Sequence, residues 1–294
     1  MSGATFEASA ANAPTPSAAD APTPAPTDAV DPETLLDELD RGRLRAAWPD
    51  PAAPGGWRVD GTVKAGILSR FRERGERSWD VGPFAFADRV ALPLKRLGDG
   101  PDARAAADAG RPWRIVPGGT SLRAGAHLEP GVVVMPPSFV NVGAWIGEGT
   151  MIDSHVLVGS CAQIGARVHL AAGAIVGGVL EPPGARPVIV EDDAFVGGGC
   201  GLYDGVLVGR GAVLAAGVIL TGTSRLFDLV RERVLQGTPD VPLAVPDGAV
   251  VVPGTRGVTS GFGRANGLGI ATAVIVKDRD ARTDARAALE AALR

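Results

Sequence analysis

The sequence predicts a mainly β protein: a parallel β-helix of hexapeptide repeats, preceded by a helical segment and closed by a strand and a helix. Three observations predict it. From Val116 to Val176 every sixth residue is valine, isoleucine or leucine without a miss, beginning Val116, Leu122, Leu128, Val134. The residue two before each of these anchors is mostly small or β-branched, as in Ala126, Val132, Ser138, Ala144 and Thr150. Glycine recurs between the pairs, at Gly125, Gly131, Gly143 and Gly149, where a corner can demand backbone angles that a β-carbon disfavours. A period of six is neither the 3.6 of a helix nor the two of an ordinary strand. It is the period of a chain wound into a triangular coil, with one inward aliphatic residue per short strand. Strand residues two apart share a face, so anchor and partner both point inward. Three hexads close one turn, and turns stack at about 4.8 Å.

The elements follow in chain order. Residues 1–30 are rich in Ala, Pro, Ser and Thr and are expected to be a disordered tail. Residues 31–112 show no six-residue period and are expected to form a mainly helical domain. Within it, Asp31-Pro32-Glu33 offers an N-cap with proline at the first helical position. Val63, Ile67, Leu68 and Phe71 fit one face of a second helix, and Pro49, Pro51, Pro54 and Gly55-Gly56 mark a loop between the two. The coil is expected over 113–256. Its register breaks after Val176, in Gly177 to Pro187, and resumes at Val190, Val196, Leu202, Val208, Leu214 and Leu220. That break reads as a loop thrown out of the coil, and loops on rigid scaffolds often carry function. Residues 257–294 are expected to cap the coil, with a strand over Ala273–Val276 and a helix over Thr283–Leu293.

Composition sets bounds on function. The net charge of −4 resides in the first 31 residues, which hold Glu7, Asp20, Asp28 and Asp31 and no Lys or Arg. With no basic excess or stripe, nucleic-acid binding is set aside. No apolar run approaches the length of a membrane span, and the N-terminus lacks the basic start and apolar core of a secretory signal. A cytoplasmic protein is expected. Cys161 and Cys200, far apart in sequence, read as reduced packing residues. His127, His155 and His169 lack the spacing of a three-histidine zinc site, so no metal is expected.

From Arg114 onward a set of motifs resembles the tetrahydrodipicolinate N-succinyltransferase family of hexapeptide acyltransferases. These are Arg114-Ile115-Val116-Pro117, Met135-Pro136, Asn141-Val142-Gly143, Glu148-Gly149-Thr150-Met151-Ile152-Asp153, Val158-Gly159-Ser160-Cys161-Ala162-Gln163-Ile164-Gly165, Gly177-Gly178-Val179-Leu180-Glu181-Pro182 and Val274-Ile275-Val276-Lys277. The resemblance implies a homotrimer of left-handed parallel β-helices with active sites between subunits. It also implies succinyl transfer from succinyl-CoA, a co-substrate, to the amine of tetrahydrodipicolinate, a small amino-dicarboxylate substrate, in lysine and diaminopimelate synthesis. It assigns a substrate carboxylate to Arg114 and the substrate amine to Asp153. Both assignments make chemical sense, since a guanidinium fork matches a carboxylate and an attacking amine must shed a proton that a placed carboxylate accepts.

The sequence departs from the family at one point. Where many members carry a glutamate, this chain has Gly201; either the reaction proceeds without it, or Asp204, three residues on, replaces it as a catalytic group. Lys277 is the candidate for a CoA phosphate, against the plain reading of a surface lysine. Asp153 follows an anchor and so faces outward, where a solvated carboxylate is the plain alternative; Arg114 could simply pair with an acid in the first turn. Two rival functions stand beside the resemblance: a CoA-dependent acyltransferase acting on a different amine, and a non-catalytic β-helix scaffold.

Overall fold

The computed structural model describes residues 30–95, 113–182, 184–238, 240–280 and 283. The tail expected over 1–30 and the helix expected over Thr283–Leu293 lie outside these residues, apart from Val30 and Thr283.

The hexad period becomes three parallel sheets, the faces of a left-handed prism. On the first face Ile146 sits opposite Leu128 and Ile164, a step of 18 residues each way. On the second, Ile152 sits opposite Val134 and Leu170, and on the third Val158 sits opposite Val140 and Val176. Each anchor from Val134 to Val176, and again from Val190 to Leu220, is fully buried. The polar residues in the inner wall are not wasted. Thr150 Oγ1 donates to the Gly165 carbonyl (2.8 Å) and accepts from the Val168 N–H (3.0 Å), stitching one coil to the next. At the corners Gly125, Gly131 and Gly143 take positive φ of 81°, 77° and 77°; His155, Cys161 and Arg167 hold the same left-handed conformation despite their side chains.

The first anchor is displaced by one residue from the sequence expectation. Ile115, not Val116, pairs with Val134 and packs against the core. Val116 is half-buried and donates its N–H to the Val134 carbonyl at 2.9 Å. The extra residue is absorbed by the turn through Gly118 and Gly119, both at positive φ, and phase is regained where Leu122 meets Val140.

The described part of the N-terminal segment is mixed, not mainly helical. Between helix α1 (Leu35–Asp40) and helix α2 (Gly61–Arg72) lies one antiparallel strand pair, Ala47–Pro49 with Trp57–Val59, and a second, Glu76–Val81 with Phe84–Arg89, follows α2. The second pair turns at Gly82 (φ 57°) and Pro83, a turn signal with alternating residues on either side. Helix α1 starts later than expected because Pro32–Thr34 form a turn; Asp31 still accepts the Glu33 N–H at 2.9 Å. Asp60 caps α2 by accepting from Val63 N at 3.0 Å, and Val63 and Ile67 are buried as the spacing predicts. Leu35, Leu39 and Ile67 pack on Val142 and Cys161 at the coil's corners.

Two buried cations fasten this segment to the coil. Arg45, 4% exposed, donates from Nε to Gln163 Oε1 at 2.6 Å, and its guanidinium lies 4.1 Å from the Trp145 ring centre. Burial pushes its pKa down to about 9. Lys64, fully buried, donates to the carbonyls of Ala185 and Pro182 in the loop between Val176 and Val190. Arg186 ties the same loop to the Gly205 and Pro242 carbonyls, each at 3.1 Å. The second half of the loop is therefore strapped down from both sides.

At the far end the expected strand over Ala273–Val276 is the middle of a longer one, Gly269–Asp278. It pairs antiparallel with Ala249–Gly257, so this hairpin runs through the boundary expected at 256. A second hairpin, Arg225–Asp228 with Arg233–Gln236, joins the same sheet.

Candidate active site

The corner after Ile152, where the chain passes from the second face to the third, holds Asp153. Its backbone is fixed on both sides: the N–H donates to the Leu170 carbonyl at 2.9 Å, and the carbonyl accepts from Ser138 Oγ at 2.9 Å. The carboxylate accepts the Ser154 N–H on Oδ1 at 2.7 Å, and Oδ2 stands 4.0 Å from His169 Nε2. The carboxylate is about one-third exposed, whereas His169 is buried. A carboxylate held this way at a solvent rim can take a proton from a bound amine.

Arg114 lies on the same second face, two strands below Met151 through Val133, with its side chain exposed. The second face thus carries Arg114 and, three strands along, His169, with Asp153 at its edge. It does not carry Asp204. Asp204 is exposed on the corner between third and first faces, at φ 53° beside Gly205 at 72°. Lys277 lies opposite Val250 at the far end of the second-face sheet, with Nζ 2.7 Å from Asp280 Oδ2.

Gly201 sits on the third face, and a β-carbon there would fall 2.7 Å from the Tyr203 ring and 3.0 Å from its hydroxyl oxygen. The Tyr203 ring also crosses over Gly177, whose β-carbon would meet it at 3.0 Å. The space above Gly201 is therefore filled by Tyr203 and not by Asp204.

One rung beyond Gly201, at Ile219, the third face opens into a cavity of about 580 Å³. Its wall includes Thr221, Ser224, Arg225, Arg256 and Thr272. Arg225 and Arg256 give this wall two guanidinium groups, a chemistry that suits anions. These two arginines were not picked out from the sequence, because they follow the last regular hexad. The hydroxyl-rich run Thr221-Gly222-Thr223-Ser224-Arg225 was the available signal.

The three histidines go separate ways. His127 stacks on Trp145 and bonds to the Asp40 carbonyl and Glu129, His155 is exposed at its corner, and His169 faces Asp153. Among the described residues no three His, Cys, Asp or Glu side chains gather as metal ligands would, and no helix is long and apolar enough to cross a membrane. Both cysteines are buried free thiols.

Residues 187–222 match the family model described as the hexapeptide repeat of succinyl-transferase. The chain is 41% identical over 269 residues to the 2,3,4,5-tetrahydropyridine-2,6-dicarboxylate N-succinyltransferase of Idiomarina loihiensis, covering 88% of this chain and 87% of that one. It is 40% identical over 262 residues to the enzyme of the same name from Rhodopseudomonas palustris, covering 89% and 88%. Against that of Xylella fastidiosa the identity is 37% over 260 residues, covering 88% and 86%.

Proposed function

The chain belongs to the family of 2,3,4,5-tetrahydropyridine-2,6-dicarboxylate N-succinyltransferases, and from that premise we propose how its own residues carry the reaction. The enzyme moves a succinyl group from the sulfur of succinyl-CoA to the nitrogen of tetrahydrodipicolinate, within lysine and diaminopimelate synthesis. Because the ring nitrogen is an imine, water adds across its C=N bond before or during transfer. The nitrogen then attacks the thioester carbonyl, loses its proton, and expels CoA as the thiol. Ring opening leaves N-succinyl-2-amino-6-oxopimelate. No covalent enzyme intermediate is needed, since a thiolate leaves readily.

In this reading Asp153 accepts the nitrogen's proton and Arg114 holds a substrate carboxylate. Arg225 and Arg256 receive CoA phosphates in the cavity, and Lys277, farther along the same hairpin, meets the nucleotide end. One observation supports the arrangement above others. The strands of the third face stack continuously from the cavity at Ile219 through Gly201 and Ile175 to Leu157, beside the Asp153 corner, and the path skirts the Tyr203 ring that covers Gly201. Three strand spacings make about 14 Å, a span that an extended thioester arm can follow. We read the protein as a cytoplasmic homotrimer. Asp204 and Asp153 occupy different corners of one chain, so Asp204 reaches an Asp153 site only from a neighbouring copy.

The test is thiol release with succinyl-CoA and with acetyl-CoA, each with and without tetrahydrodipicolinate. Release should require succinyl-CoA and tetrahydrodipicolinate together, and Asp153→Asn should lower kcat by about 10²-fold or more while CoA binding persists. A preference for acetyl-CoA, or release indifferent to tetrahydrodipicolinate, would move the chain to the different-amine alternative. Full activity in Asp153→Asn would remove Asp153 from the mechanism.

A further inference from the structure

The outward column of the second face runs Met151, His169, Phe195, each one coil above the last. The column is buried along this stretch, with Met151 7% and His169 6% exposed, so His169 is a polar side chain in a covered position. A buried imidazole carries a desolvation cost that calls for a polar counterpart. Its Nε2 faces Asp153 Oδ2 at 4.0 Å, and the Phe195 ring, 5.1 Å centre to centre and tilted 58°, backs the imidazole from the coil above.

The two carboxylate oxygens of Asp153 are thereby made unequal. Oδ1 is committed to the Ser154 N–H, and Oδ2 looks toward His169 and the open rim. The other charged neighbours are accounted for. Arg167, two residues before His169, is engaged by both Asp193 oxygens at 2.7 and 2.8 Å, and His155 points to solvent from its corner. Asp153 presents its charge to His169 Nε2. At 4.0 Å the two groups are within ion-pair reach and short of a hydrogen bond, and apo hydrogen bonds in acid–base sites often tighten when substrate binds.

We propose that His169 is the positioning residue of Asp153: its imidazole, braced by Phe195, holds the carboxylate in the orientation that accepts the proton of the attacking nitrogen. This rests on the reading of Asp153 as proton acceptor.

Two variants test it. His169→Phe keeps a ring in the column and removes both nitrogens. His169→Gln places an amide nitrogen near the position of Nε2. With His169→Phe, kcat should fall about ten- to a hundredfold, the usual effect of losing a partner that orients a reactive ligand. KM for succinyl-CoA should stay unchanged and the acid limb of the pH–rate profile should move. His169→Gln should recover most of the lost kcat. Thermal melts and CoA titration establish that both variants are folded. Wild-type kcat and pH profile in His169→Phe would overturn the proposal, as would equal losses in both variants. An inactive Asp153→Asn beside a fully active His169→Phe would sink this inference alone; an active Asp153→Asn would sink the underlying reading first.

Discussion

In the coil, Ile146 lies between Leu128 and Ile164, each eighteen residues away, and the same contact recurs on every face from Leu122 to Leu220. In the segment from Val30 to Lys95, Leu35 and Ile67 meet Val142 and Cys161 through contacts that occur once. Both regions bury apolar surface, but only the coil does it by repetition. The N-terminal segment is located by single polar anchors instead: Arg45 on Gln163, Lys64 on the loop carbonyls, Arg123 on Asp88. Stacked coils support one another as nearest neighbours, so each coil's stability depends on the ones above and below. A segment held by a few buried charges has no such redundancy, because a buried group left without its partner is costly.

The comparison can be broken at the coil first. Ile152→Ala leaves a cavity between Val134 and Leu170 and should cost about 2–5 kcal/mol, read as a lowered urea midpoint for the whole chain. A loss under about 1 kcal/mol would mean the stack relaxes into the gap and is less tightly packed than its burial indicates.

The single anchors come next. Arg45→Ala removes a charged hydrogen bond to Gln163 and the cation set against Trp145, and should cost about 1.5–3 kcal/mol. The loss should be local. Hydrogen exchange should quicken across helices α1 and α2 while the amides of the central coils keep their protection. Equal loss of protection in both regions would show that segment and coil unfold as one unit and would erase the distinction.

The smallest effect sharpens the seam between them. Cys161, buried under helices α1 and α2, has its thiol pushed up to about 12 from an ordinary value of 9.0. Between those values the unfolded thiol gives up its proton while the native one keeps it. The unfolded state then binds fewer protons, so stability falls as pH rises through this window. The limiting slope is about 1.4 kcal/mol per pH unit. Cys161→Ala should flatten the decline in Tm between pH 8.5 and 10. Arg45 acts with the opposite sign above pH 9 but equally in both proteins, so the difference isolates Cys161. Identical slopes would mean the thiol is not sealed by the helices.

The site divides along the same line as the fold. Asp153 was legible because it directly follows an anchor, where the period dictates that it faces outward; Arg114 was legible only through its motif, since its outward position depends on the shift of the first anchor to Ile115. His169 occupies an equally outward position, but nothing in its spacing shows that Phe195 and Asp153 would enclose it. Arg225 and Arg256 lie past the last regular hexad, so no period points to them. The Tyr203 ring over Gly201 is set by how one side chain leans across its own strand, which spacing cannot encode.

The hexad period by itself determined the coil, its burial pattern, the loop after Val176 and the outward placement of Asp153, because contacts within each run of hexads join residues 18 positions apart and the loop shows as the break in that phase, where Ile164 meets Val190. Tertiary structure alone decided the one-residue slip at Ile115, the strand pairs before the coil, the Asp153–His169 pairing and the cavity beside Ile219. These depend on contacts between residues at irregular separations, such as Arg45 with Gln163, and an irregular separation leaves no repeat to read.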